Sequence, residues 1–74
     1  MPKLPVISGS ECIRALLRAD FQVDRQAGSH VTLVRGGTHV TVACHAGKDL
    51  KPGILRAIIR QASMTVEEFS ELLK

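Results

Sequence analysis

The sequence predicts an α+β two-layer sandwich: a helix, a three-stranded antiparallel meander, a second helix and a short last one. Three observations carry that reading. Apolar stripes at helical spacing stand on both sides of the middle of the chain. Between them, three short runs alternate apolar and polar residues with period two, and glycine-containing turns separate the runs. Helices must then cover one face of the sheet. The 74 residues are expected to form one domain spanning 1–74. A domain of this size buries only about 60% of the surface its unfolded chain exposes. A shallow surface site or flat interface is therefore expected, not a deep cofactor pocket.

The first helix opens at Ser8-Gly9-Ser10-Glu11, which has the form of a capping box, Ser8 accepting from the first turn and Glu11 reaching back. Ile13, Leu16 and Leu17 recur at helical spacing after it, with Arg14 and Arg18 on the opposite face, and Cys12 reads as a core residue. The helix should end near Ala19 or Asp20. In the first strand Phe21, Val23 and Arg25 alternate with Gln22, Asp24 and Gln26. In the next two, Val31 and Leu33 alternate with His30 and Thr32, and Val40 and Val42 with His39 and Thr41. Such alternation marks strands with one buried and one open face.

A hairpin closing at Gly36-Gly37 pairs Arg35 with Thr38, Leu33 with Val40 and Val31 with Val42, so the apolar residues share a face. For the first hairpin, a three-residue loop Gln26-Ala27-Gly28 pairs Val23 with Val31 and Phe21 with Leu33. That loop also puts Gly28 where a left-handed residue is wanted. Beyond the sheet, Lys48 to Lys51 lead into Pro52, a good first-turn residue. Ile54, Leu55, Ile58, Ile59 and Ala62 form an apolar stripe, with Arg56 and Arg60 on the other side. Thr65-Val66-Glu67-Glu68 offers a second capping box, followed by Phe69, Leu72 and Leu73 in a last short helix.

Lys and Arg number 10 against 7 Asp and Glu. Residues 65–74 hold Glu67, Glu68, Glu71 and Lys74, a net −2, so the first 64 residues carry +5. That balance favours a polyanionic partner such as nucleic acid, and it also fits an ordinary soluble basic surface. Phe21 and Phe69 are the only aromatics, and both are better used as core. Recognition of RNA would then run through phosphates and shape more than through stacked bases. Cys12 and Cys44 form no CxxC pair, which suggests a reducing compartment without a disulfide framework. Met1-Pro2-Lys3-Leu4-Pro5 lacks the apolar run of a signal peptide. No segment approaches the ~20 apolar residues that span a bilayer, so no membrane partner and a cytoplasmic location are expected.

Gly28-Ser29-His30 places a histidine just past a glycine turn, where a strand begins. Histidine is the side chain whose unperturbed pKa best suits proton transfer near neutral pH. Together with Lys3-Leu4-Pro5, Ser8-Gly9, His45-Ala46-Gly47-Lys48, the stretch Leu50-Lys51-Pro52-Gly53-Ile54-Leu55-Arg56 through Arg60-Gln61-Ala62, and Val66-Glu67-Glu68-Phe69, it resembles the HicA-type (YcfA-like) toxin family over nearly the whole chain. The resemblance implies a double-stranded-RNA-binding-domain-like fold. It further implies an endoribonuclease toxin that cleaves mRNA, stops translation and is held inactive by a HicB-type antitoxin. The family's essential histidine maps onto His30. The chain departs from the family at Ala43, where a proline is common, and at Ser63, where a glycine usually ends the long helix.

Metal-free RNA cleavage takes a proton from a ribose 2′-OH and gives one to the leaving 5′-oxygen, so His30 needs a partner. The hairpin register sets His30 opposite Ala43. His39 then lies about 13 Å away along the strand at ~3.3 Å per residue. His45 is a diagonal neighbour at ~7–8 Å if the strand persists. His45 is therefore the expected partner, although a loop residue that only packs or touches phosphate fits the same position. Lys48 and Lys51 precede a helix start that attracts anions. With Ser29 and Arg56 they are the expected RNA contacts, and an ordinary solvated face fits them too. A metal site from Cys44, His45, His39 and His30 is poorly spaced, so no metal and no small-molecule cofactor are expected. The runner-up reading is a non-catalytic RNA-binding module in which His30 is a contact residue.

Overall fold

Six elements follow one another in the predicted order: α1 (Gly9–Arg18), β1 (Gln22–Ala27), β2 (His30–Arg35), β3 (Thr38–Ala43), α2 (Pro52–Gln61) and α3 (Val66–Glu71). The computed structural model describes residues 3–74. Met1 and Pro2, the start of the stretch read as lacking a signal-peptide run, lie outside the described residues. The sheet is antiparallel in the order β1-β2-β3.

Both capping boxes close. The Glu11 N–H donates to the Ser8 hydroxyl at 3.2 Å while the Glu11 carboxylate accepts from the Ser8 N–H at 3.1 Å. Thr65 and Glu68 repeat the exchange at 3.1 and 2.8 Å at the start of α3. The two long helices also stop alike. After α1 the Asp20 N–H donates to the Leu17 carbonyl and the Phe21 N–H to the Leu16 carbonyl. After α2 the Ser63 N–H donates to Arg60 and the Met64 N–H to Ile59. These are paired Schellman bonds, and they need a left-handed residue in the middle. Asp20 (φ 71°) and Ser63 (φ 59°) supply it without being glycine.

Helices and sheet enclose one apolar core of fourteen buried residues, among them Leu16, Phe21, Leu33, Val42, Leu55 and Phe69. Among the described residues no buried side chain is polar or charged. Cys12 lies inside this core as expected. Burial pushes its thiol from the ordinary 9.0 to about 12, so it stays neutral and unreactive at physiological pH. The second hairpin has the predicted register, with Arg35 opposite Thr38, Leu33 opposite Val40, Val31 opposite Val42 and His30 opposite Ala43.

The first hairpin departs from expectation. Val23 pairs with Leu33, not Val31, and Phe21 lies just before the strand, buried beneath the sheet. The turn is two residues long, Gly28-Ser29, with Ala27 opposite His30 and Gly28 at φ 59°. A bulge between Val23 and Arg25 absorbs the extra residue and carries Arg25 opposite Thr32. The physical reason is Arg25. Unbroken alternation would turn its guanidinium toward the core, where a charge without a partner is costly, and the bulge sends it to the open face. Every residue of this edge strand is exposed, Val23 included.

Two expected core positions also lie at the surface. Leu17 and Ile54 are each roughly half exposed, at 45% and 47%. The stripe of α1 that meets the sheet is Gly9, Cys12, Ala15 and Leu16, mostly small residues that let the helix approach closely. In α2 the stripe is Leu55, Ile58, Ile59 and, just past the helix, Ala62, which leaves Ile54 on its flank.

Candidate active site

The open face of the sheet, turned away from the helices, is the surface on which His30 stands. Val31 and Leu33 point into the core, so His30 and Thr32 between them point out. On β3 the same face carries His39, Thr41 and Ala43, and Thr32 and Thr41 face one another with hydroxyl oxygens 3.4 Å apart. The bulge adds Arg25, a cation diagonal to His30 that reading the sequence placed on the buried side. Its signal was present all the same, since an arginine at an apparent core position argues for a broken register. His30 itself is exposed, and half-buried Ser29 occupies the turn before it.

Its expected partner, His45, lies two residues past the end of β3. The Cys44 N–H donates to the Ser29 carbonyl at 2.7 Å, continuing the ladder one residue past β3. That bond makes His30 and Ala43 a pair without mutual hydrogen bonds, the kind whose side chains stand closest. Cys44 Sγ lies 3.2 Å from Ser10 Oγ on α1, so Cys44 points toward the helix layer. His45 follows outside β3 and is exposed. His45 opens a turn through Ala46 and Gly47 (φ 73°), its carbonyl accepting from the Lys48 N–H at 3.2 Å. His39 pairs with Val34 near the opposite end of the hairpin, four residues from Ala43. The register thus sets His30 and His39 toward opposite ends of the hairpin.

Beside this strand end lies a groove of about 300 Å³, lined by Ala43, His45, Lys48, Leu50, Lys51 and Ile54, with Asp49 on its rim. It reaches the start of α2, where Lys51 is the N-cap residue, Pro52 opens the helix and no side chain caps the first N–H groups. Lys48 and Lys51 are exposed here, and Arg56 lies one turn further along α2, also exposed. Two other cations are engaged elsewhere. Arg18 donates to the carbonyls of Leu72 (2.8 Å) and Lys74 (2.6 Å), closing the end of α3. Arg35 donates to the Ala19 carbonyl at 2.8 Å and stacks 4.5 Å above the Phe21 ring. Among the described residues no group of three or more His, Cys, Asp or Glu side chains gathers around a common point that would suit a metal ion.

A family model described as HicA toxin of bacterial toxin-antitoxin matches residues 9–64, which is most of the chain. The chain belongs to the HicA toxin family. Membership makes it the toxin of a toxin–antitoxin pair, with a cognate antitoxin as partner. The matched span of this HicA toxin includes Ser29, His30, His45, Lys48, Lys51 and Arg56, and ends before α3. No curated protein matches the chain. No helix among the described residues is long and apolar enough to cross a membrane.

Proposed function

We propose that this HicA toxin is a cytoplasmic endoribonuclease that cuts mRNA without a metal ion and is silenced by a HicB-type antitoxin. The observation that carries the reading is His30 exposed on the open sheet face and paired with Ala43, two residues before the exposed His45. One histidine accepts the 2′-OH proton and the other protonates the leaving 5′-oxygen; the attacking 2′-oxygen displaces it at phosphorus. A site this shallow has little means of reading bases, so low sequence specificity follows. An antitoxin segment blocks it simply by covering the open face, and acidic side chains suit the cations Arg25, Lys48 and Lys51 around it.

The deciding experiment is incubation of the purified protein with a defined mRNA in excess EDTA. Cleavage is the expected result, and His45→Ala slows it far more than His39→Ala. Equal effects of the two substitutions would remove His45 from the reaction. RNA that is bound and left intact would turn the protein into a binding module.

Lys48, Lys51 and the start of α2 supply the phosphate contacts in this reading, with Ser29 and Arg56 extending the track. Each lysine that neutralises one phosphate contributes roughly 0.7 to the slope of log affinity against log salt on single strands. The Lys48→Ala/Lys51→Ala double variant is therefore expected to flatten that slope by about 1.4. A slope that stays unchanged means the RNA runs elsewhere.

A further inference from the structure

The loop that carries His45 and Lys48 belongs to no helix or strand, yet the segment leading into α1 grips it repeatedly. The Leu50 N–H donates to the Ile7 carbonyl at 2.8 Å. Ser8 and Asp49 form an isolated antiparallel bridge. Ser10 Oγ contacts Cys44 Sγ at 3.2 Å. Between these contacts Gly9, buried, rests on the end of β3: a Cβ there would meet the Ala43 carbonyl oxygen at 2.6 Å and Cys44 Cα at 2.9 Å. Both are backbone atoms, so no rotamer change relieves the overlap. At the other five glycines a Cβ would meet nothing within 4 Å. Gly9 is also the first residue of α1, where alanine is intrinsically the better helix former. Its presence calls for a reason other than helix formation.

We propose that Gly9 is a positioning residue for the nuclease site: its missing side chain lets Ile7–Ser10 seat on Ala43–Cys44 and so fixes where His45 stands relative to His30. The inference rests on the reading of His30 and His45 as the proton-transfer pair. The route is short. Cys44 lies between Ala43, which faces His30, and His45, and its N–H is bonded to the residue before His30. A side chain at Gly9 displaces that peptide and with it the spacing of the two rings. Misplacement of a reacting group by about 1 Å can cost on the order of 10²-fold in rate.

The test compares the parent, Gly9→Ala, His45→Ala and the double variant as full chains, cleaving a defined mRNA in EDTA. Gly9→Ala is expected to lower kcat about ten- to hundredfold in the parent and to have no further effect in the His45→Ala background, since a group already absent cannot be misplaced. By NMR, the His45 ring and the amides of residues 43–48 should shift, while the resonances of the His39 ring at the far end of the hairpin stay as in the parent. A loss of equal size in both backgrounds, or one that only tracks the folded fraction, overturns the proposal. Where Gly9→Ala does not fold, Ser10→Ala deletes only the contact to Cys44 and carries the same cycle. A roughly two- to fivefold loss confined to the parent background supports positioning, and unchanged cleavage rejects it. A parent that binds mRNA without cutting it, or cuts equally well as His45→Ala, refutes the underlying pair, and the positioning role falls with it.

Discussion

The His30→Ala variant is expected to lose mRNA cleavage by a factor of about 10²–10⁴, the usual contribution of one positioned acid or base, while folding like the parent. The two halves of that expectation come from different features. His30 is exposed on the face of the sheet that no helix covers, and it is not one of the fourteen buried core residues among the described residues. Surface substitutions of this kind usually change stability by no more than about 0.5 kcal/mol. A thermal melt beside a cleavage assay therefore separates chemistry from folding. A variant that melts normally and still cuts within a few-fold of the parent would show that His30 is a contact residue.

Phe69→Ala is expected to cost about 3–5 kcal/mol of stability, as large-to-small changes of fully buried aromatics do. Phe69 is wholly buried although it sits on the short last helix, outside residues 9–64 that the family model matches. A domain of this length has about a quarter to all of its margin at stake, since stability runs at roughly 0.05–0.15 kcal/mol per residue. Urea denaturation measures the loss directly. A change below about 1 kcal/mol would mean that α3 contributes little to the core and that the domain proper ends near Met64.

Where a local rule and the burial pattern point the same way, the sequence was enough. The capping boxes at Ser8 and Thr65, the Gly36-Gly37 turn and the β2–β3 register all follow from residue type and spacing. That register alone sets His30 opposite Ala43, so this part of the candidate site is legible in the sequence. Misreadings arose where spacing is decided by tertiary packing. The bulge beyond Val23 answers to the charge of Arg25, and pure alternation cannot register it. Leu17 and Ile54 are apolar and correctly spaced, yet the small residues Gly9, Cys12 and Ala15 win the contact with the sheet because they permit closer approach. Arg18 and Arg35 look like free surface cations in the sequence and prove to be tied to carbonyls across the fold. The contact of Gly9 with Ala43 and Cys44 joins residues more than thirty positions apart, beyond the reach of any local pattern.

The wholly apolar interior bears on how such a toxin can change over generations. Its one ionisable core group, the Cys12 thiol, stays neutral across the physiological range, and no described polar side chain is buried. Folding thus asks only for shape and volume from the inside, while the charged residues are left to the surface. Toxin and antitoxin lineages can exchange surface charges and drift into new exclusive pairings with little penalty in folding. The tether on that freedom is the strip where Gly9 meets the end of β3, where the proposed site and the interior that folds share the same few backbone atoms.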